Sequence, residues 1–317
     1  MKWRRLGKIF DPTEHELANN CKEFAQSPQA LILGDRVRVY FSTRERDPSG
    51  KYLSHVAFVD FSRDFGRTLG ISHATVIELG GLGCFDEHGI FPMNVVKHGG
   101  RLLAYTTGWS RRVSVSADAS IGLAISEDGG DTFRKHGTGP VLTSSLHEPF
   151  LVGDAFVNVY NGTYHMWYIF GTKWMANGRD TRPERVYKIG HATSDDGVNW
   201  RKEGRHLIRD RLGGDECQAL PTVIRIGDRY HMVFCYRWVY DFRTNKANAY
   251  KLGYAYSDDL NNWTRDDSQL GWTVEEHGWD AEMQCYPHLC EVDRRIYLLY
   301  NGNDFGRRGF GLAVMSE

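Results

Sequence analysis

The sequence predicts an all-β protein of five repeated four-stranded units, and three observations carry that prediction. A short motif recurs as Ile121-Gly122-Leu123-Ala124, Ile189-Gly190-His191-Ala192, Leu252-Gly253-Tyr254-Ala255 and Phe310-Gly311-Leu312-Ala313, its glycines 68, 63 and 58 residues apart. A weaker copy, His55-Val56-Ala57-Phe58-Val59, lies 67 residues before the first. Upstream of each copy two apolar runs of strand length flank a tight turn, the pattern of a β-hairpin. The third observation is a break. The inner copies run on through an aspartate-glycine or aspartate-asparagine turn to an aromatic residue, whereas the last copy stops at Met315-Ser316-Glu317, and the segment that would complete it stands at the start, in Met1-Lys2-Trp3-Arg4-Arg5. Five such units closed by the two ends of the chain make a five-bladed β-propeller, four antiparallel strands to a blade. The expected organisation is a single domain over 1–317, with blades at about 21–80, 85–145, 148–210 and 215–275, and a fifth made of 280–317 plus 1–10.

The elements follow in order. Pro28–Leu33, the Gly34-Asp35 turn and Val37–Phe41 form the first hairpin; Pro92–Val96, Gly99-Gly100 and Leu102–Tyr105 form the second. The third is Ala155–Val159, Asn161-Gly162 and Tyr164–Tyr168, and it lacks the proline. Pro221–Ile226 with Gly227-Asp228 and Tyr230–Phe234 is the fourth, and Pro287–Cys290 with Asp293-Arg294 and Ile296–Tyr300 the fifth. In each unit the Gly-x-Ala segment gives a third strand. The turn around Asp128, Asp196 or Asp259 then leads to a fourth, and these aspartates are read as turn-builders because Asp accepts hydrogen bonds from the backbone two or three residues on. Nothing reads as a long amphipathic helix.

Composition narrows the function. The chain is 41% apolar and has a formal net charge of -1, so nothing in its overall charge draws it to nucleic acid or to a membrane. Its start lacks the apolar run of a secretion signal, and no stretch nears the roughly 20 apolar residues that span a bilayer. The six cysteines (21, 84, 217, 235, 285 and 290) form no C-x-x-C pair and are expected to be reduced thiols, which points to the cytoplasm. No phosphate loop, dinucleotide fingerprint or metal-ligand spacing appears, so neither a cofactor nor a metal site is expected.

In a propeller the residues just before each first strand and the loops after each second strand converge on one mouth of the central channel. Four units carry a glutamate five positions ahead of the proline: Glu23, Glu87, Glu216 and Glu282; the third has Glu148 and, abutting its strand, Asp154. Repeated acids aimed into a narrow channel repel one another unless they are paired or used. With Gly153-Asp154-Ala155 and Asp215-Glu216-Cys217 in those places, the chain resembles the five-bladed propeller glycosidases: the arabinanases and xylosidases of glycoside hydrolase family 43, and the invertase and levansucrase families. The resemblance implies Glu216 as general acid and Asp154 as the acid that tunes it. It also implies a first-blade aspartate as base, where this chain has Gln26-Ser27-Pro28; Glu23 or Asp86 is the substitute. Some members of those families hold a Ca²⁺ ion in the channel, which this sequence does not place.

The second-strand loops speak of substrate. Trp109, Trp174 and Trp238 stand at equivalent loop positions and suit a sugar ring. Arg44, Arg112, Arg237 and Arg307, with Arg179, Arg182, Arg185 and Arg243, make the same loops basic although the whole chain is nearly neutral, which favours an anionic sugar. Glu87, His88, Glu282, His288 and Asn301 complete the expected substrate contacts. The expected function is a glycoside hydrolase acting on a phosphorylated or acidic sugar. Two alternatives stay open: a phosphorylase in which inorganic phosphate replaces water, and a non-catalytic sugar or sugar-nucleotide binder.

Overall fold

The computed structural model describes residues 1–176 and 182–316. After β1 (Trp3–Phe10) the chain runs through successive meanders, each an antiparallel set in which every strand pairs with the next. The first is β2 (Glu23–Ile32), β3 (Arg36–Arg46), β4 (Tyr52–Ser62) and β5 (Thr68–Ile71). The second is β6 (Gly89–His98), β7 (Arg101–Arg111), β8 (Ala117–Ser126) and β9 (Arg134–Lys135). Then come β10 (Val152–Tyr160), β11 (Thr163–Met175), β12 (Glu184–Ser194) and β13 (Arg201–Lys202), and after them β14 (Cys217–Ile226), β15 (Arg229–Arg237), β16 (Lys251–Ser257) and β17 (Thr264–Arg265). The last meander, β18 (Cys285–Val292), β19 (Arg295–Asn301) and β20 (Phe310–Met315), has only three strands of its own. Its outer edge is taken by β1, whose Trp3 lies opposite Met315 and whose Phe10 lies opposite Phe310. A single parallel bridge from Ser54 to Gly89 joins the first two meanders into one eight-stranded sheet; the other sheets have four strands each.

The innermost strands are β2, β6, β10, β14 and β18. Each lies against the next, and β18 also lies against β2. Polar side chains stitch this circuit. Asn94 donates to Gln29 (3.0 Å) and accepts from the Val157 amide (2.9 Å), and the Leu289 amide donates to Thr222 (3.0 Å).

The apolar core lies between sheets, because each sheet is apolar on both faces. Val39, Phe41 and Phe61 of the first meander pack with Leu299, Phe310 and Leu312 of the last. Leu31, Tyr40 and Phe58 meet Ile90, Met93 and Ala104, while Leu103 and Tyr105 meet Val152, Val157 and Met166. A larger cluster runs from Trp167 and Ile189 through Val223 and Phe234 to Leu289. Full burial of side chains of this size contributes about 1.5–3 kcal/mol each.

Two of the three turn aspartates are built as the sequence suggests, while Asp128 accepts from the Thr132 amide four residues on (3.0 Å). Asp196 accepts from the amides of Val198 and Asn199 (both 2.8 Å), and Asp259 from those of Asn261 (2.9 Å) and Asn262 (2.8 Å). In each case the hydrogen bonds to the backbone amide and side chain of the asparagine hold the carboxyl well below the usual carboxylate range. The aromatic residue past the turn packs against the neighbouring sheets: Trp200 stands edge-on to Tyr105 at 5.6 Å, and Trp263 to Trp167 at 6.2 Å.

Candidate active site

Just ahead of four of the innermost strands stands a buried acid, and each meets a cation on the outermost strand of its own sheet. Asp86 pairs with Lys135 of β9 (2.5 Å), Glu148 with Lys202 of β13, Glu216 with Arg265 of β17 (2.5 Å) and Asp280 with Arg5 of β1. Tyrosines of the second strands add hydrogen bonds, Tyr168 to Glu148 (2.6 Å) and Tyr300 to Asp280 (2.7 Å). These acids lock strand one to strand four.

Glu216, expected as the general acid, is held on all sides. Its Oε1 accepts from Arg265 and from Gln218 (2.9 Å), and its Oε2 accepts from the amides of Arg211 and Leu212 (both 2.9 Å). With N–H donors on both oxygens and no exposed surface, Glu216 sits in a closed knot with no side open to a substrate. Asp86 is likewise committed to Lys135. Glu23 accepts from Arg307 (2.7 Å) and Tyr52 (3.0 Å); partial burial works against the charge, but those hydrogen bonds hold its carboxyl below the ordinary value.

One step into the circuit the innermost strands bulge at a common level, where two residues of the first strand face one of the second. The bulged residues Ser27, Asp154, Leu220 and Tyr286 have φ of +54°, +53°, +45° and +55°. Left-handed backbone costs a non-glycine residue about 1 kcal/mol or more, and such strain concentrates at sites of function. Asp154 is the acid of this level. Its amide donates to Thr107 (2.7 Å), and only 7% of the residue is exposed. Burial pushes its carboxyl up to about 7, against the opposing pull of the Leu220 amide and the Arg185 charge.

Three guanidinium groups form no ion pair with a carboxylate among the described residues, and one of them, Arg185, acts on Asp154. Arg44 donates twice to the neutral Gln26 amide (3.0 and 2.7 Å) and lies over the rings of Phe24 (4.7 Å) and Tyr52 (5.4 Å). Arg237, 2% exposed, donates to the Tyr187 hydroxyl (3.2 Å) and the Trp238 carbonyl (2.8 Å) and sits 3.5 Å from the centre of the Phe242 ring. Arg185 donates to Ser116 (3.2 Å) beside Trp174 (5.9 Å). The hydroxyls of Tyr187 and Tyr250 touch, and the Tyr286 ring is tilted against that of Tyr250 at 5.7 Å. Of the other predicted arginines, Arg112 pairs with Asp118, Arg307 with Glu23 and Arg243 with Glu184. Arg179 lies outside the described residues.

The remaining expected contacts divide. His88 stacks on Trp109 (5.9 Å) and Glu87 accepts from the Gly83 amide (3.0 Å), both only partly buried. Trp174 and Trp238 are partly buried beside Arg185 and Arg237, and Glu282 is exposed. Asn301 is fully buried: it accepts from the Ser27 amide and donates to the carbonyls of Ala25 and Gly309, all at 2.8 Å, so it ties the last meander to the first. His288 lies inside the circuit next to Phe156, where burial pushes its ring down to about 4. Tyr187 and Tyr250 join the site without having been expected there, although a repeat marks them both, Tyr187-Lys188-Ile189-Gly190 and Tyr250-Lys251-Leu252-Gly253. Among the described residues no group of three or more His, Cys, Asp and Glu side chains is arranged to hold a metal ion, and no helix is long and apolar enough to cross a membrane.

No model of a known protein family matches the chain. Over 318 aligned residues it is 34% identical to two Mycobacterium tuberculosis proteins, Uncharacterized protein MT1551 (strain CDC 1551 / Oshkosh) and Uncharacterized protein Rv1502 (strain ATCC 25618 / H37Rv), with all of each chain covered. The chain belongs to the family of these mycobacterial proteins. Solved structures extend the likeness in shape. A structure described as a glycoside hydrolase superposes with a TM-score of 0.73 at 16% identity, over 99% of this chain and 91% of that one. The β-1,2-mannobiose phosphorylase from Listeria innocua, in complex with β-1,2-mannobiose, gives 0.70 at 12% identity over 99% and 96%. A thermostable family-43 glycoside hydrolase gives 0.65 at 12% over 94% and 91%. The Rv1502 family thus has the all-β, propeller-like fold of these sugar enzymes, as the sequence resemblance implied.

Proposed function

We propose that the chain is a closed five-bladed propeller and a carbohydrate-active enzyme that cleaves a glycosidic bond at the mouth of its channel, with Asp154 as the proton donor. One observation carries this reading. Asp154 is the one predicted mouth acid that is both buried and outside an ion pair, and burial lifts its carboxyl to about 7, where a carboxylic acid can give a proton to a leaving sugar oxygen. Fold likeness to glycosidases and to a phosphorylase supports the same class. Arg44, Arg185 and Arg237 support an anionic substrate or co-substrate, since a desolvated guanidinium fork without a carboxylate suits a phosphate or carboxylate group. All six cysteines are unpaired, in keeping with a reducing cytoplasm.

A specific observation favours phosphorolysis over hydrolysis. An inverting hydrolase needs two available carboxyls about 6.5–9.5 Å apart, yet Glu216, Asp86 and Glu23 are each committed to a cation. A phosphate held by arginines needs no protein base. The deciding experiment incubates the protein with a panel of aryl glycosides and disaccharides, with and without inorganic phosphate. Release of sugar 1-phosphate only in its presence supports phosphorolysis, and release of free sugar without it supports hydrolysis. If no bond is cleaved in either set, or if Asp154→Asn cleaves as fast as the wild type, the catalytic reading is wrong.

A further inference from the structure

The third meander carries a chain of three titratable groups that the catalytic reading leaves unused. Glu203 meets Nδ1 of His191 (2.5 Å), and Nε2 of His191 meets Nδ1 of His165 (3.1 Å). Arg205 donates to the other Glu203 oxygen (2.7 Å). Partial burial works against the Glu203 charge, but the hydrogen bonds from His191 and Arg205 hold its carboxyl below the ordinary value. An ionised carboxylate only accepts, so it fixes the direction of the whole chain. His191 gives its Nδ1 proton to Glu203, which leaves a neutral His191 with a bare Nε2. His165 then donates from Nδ1, and its own Nε2, on a partly exposed ring, is the open end. Between them the His191 side chain has no exposed surface.

This chain lies where the third meander meets the fourth. Trp167 stacks on both imidazoles (5.8 and 5.2 Å) and stands edge-on to Trp263 (6.2 Å). Tyr160 stands edge-on to His165 (6.0 Å) and to Tyr230 (5.0 Å), and Arg205 reaches across to the Asn261 carbonyl (2.7 Å). Few charges face the two rings. β10 offers Asn158, opposite His165, and Tyr160; β12 offers Thr193. On β13, Arg201 is paired with Asp195 (2.9 Å) and Lys202 with Glu148. From the fourth meander come Tyr230, Trp263 and, beyond the Tyr230 ring, Arg225 (5.7 Å from its centre). Glu203 is the one free acid among these groups. The Trp167 indole nitrogen is buried with no partner, so no further acceptor stands at the junction either.

One acid can balance one proton. We propose that Glu203, His191 and His165 form an acid-sensitive latch, which holds the third meander to the fourth while the two rings share at most one proton. A first proton enters at the open Nε2 and is balanced by Glu203 through His191. A second sets two imidazolium rings nitrogen to nitrogen at 3.1 Å, with a single carboxylate to serve both. Burial and the His191 charge, against the pull of Glu203, push the His165 ring down to about 4. In the unfolded chain each ring takes its proton at about 6.5. The latch therefore contributes its full stability above about pH 6.5 and loses it as pH falls toward about 4.

Nitrogen-15 NMR of the histidines in the full chain is the direct test, and it needs no substrate. At about pH 8 both rings should carry their proton on Nδ1, and on acidification the pair should take up one proton and refuse the second down to about pH 4. A companion measurement follows urea unfolding of the wild type and of His165→Gln between about pH 4.5 and 8. The glutamine amide can still donate to His191 but cannot hold a proton. Asp154 titrates alike in both proteins and drops out of the difference. Below about pH 6 the folding equilibrium of the wild type should fall, relative to that of the variant, by up to about tenfold per pH unit, the effect of one proton. Both rings titrating together at the ordinary value, a His165 proton on Nε2 at about pH 8, or one pH dependence shared by the two proteins would each overturn the latch. If the variant does not fold, the NMR titration of the wild type decides alone.

Discussion

An enclosed carboxyl such as Asp154 links activity to stability through a single proton. Its folded value of about 7 stands above the ordinary 3.8, so between those values the folded chain holds a proton that the unfolded chain releases. That contribution to folding is fully present below about pH 4 and is lost as pH rises through about 7, where the proposed proton donor is lost as well. Asp154→Asn should therefore lower turnover by roughly 10²–10⁴-fold and yet melt at a higher temperature than the wild type at about pH 8, because it removes a buried charge. Thermal melts of both proteins between about pH 5 and 9 test the point: parallel curves would place Asp154 in a solvated setting. The sequence singles out Asp154 in Gly153-Asp154-Ala155 as an acid that tunes a partner and abuts its strand, whereas the residue lies inside β10. The sorting of arginines is not legible there. Arg112 finds Asp118 nearby, but Arg307 finds Glu23 across 284 residues, and no local pattern reports that meeting.

At the scale of the element, the acid–cation knots separate what spacing can and cannot tell. Counting five residues back from each proline picked Glu87 and Glu282, which lie at the surface or near it, and missed the buried Asp280 two residues from Glu282; Asp86, just before Glu87, is buried as well. Spacing along a chain does not report which way a loop turns before it enters the sheet. Glu216 was found, but its partner Arg265 lies 49 residues on, at the far edge of the same sheet. Removing one partner of a buried pair strands the other, at about 3–5 kcal/mol. Glu216→Gln should accordingly show its main effect in urea unfolding, with the 6% exposed Arg265 side chain left to Asp267 (3.1 Å) as its one remaining carboxylate among the described residues. Adding Arg265→Met should recover part of the loss. A Glu216→Gln protein of unchanged stability and abolished turnover would return the residue to the role of acid. The strands, hairpin turns and turn aspartates needed no such long-range knowledge, since alternation and turn chemistry are local.

For the whole molecule, repetition made the order of the sheets readable, including the strand that the last one borrows from the start. The common bulge level was not readable, because it exists only in the register between strands. β1 brings more than hydrogen bonds: Arg5 neutralises Asp280, Trp3 donates to the Leu270 carbonyl (2.9 Å), and the Met1 amino group reaches the Gln269 carbonyl (2.6 Å). A chain beginning at Asp11 would expose the edge of β20 and leave Asp280 without its cation, so it should aggregate or melt far below the full chain. Light scattering and circular dichroism decide it, and a truncated protein that melts like the full one would refute the closure.

The pairing of β1 with β20 also orders events in time. Trp3 and Met315 are neighbours in space but far apart along the chain, so on a ribosome β1 is made long before the strand it docks against. Until β20 emerges, the growing protein carries two open strand edges and an Asp280 with no arginine beside it. Contacts between such distant parts of a chain form slowly, which makes the final sheet the slowest part of the molecule to mature and the interval before it closes the one in which a chaperone would matter most.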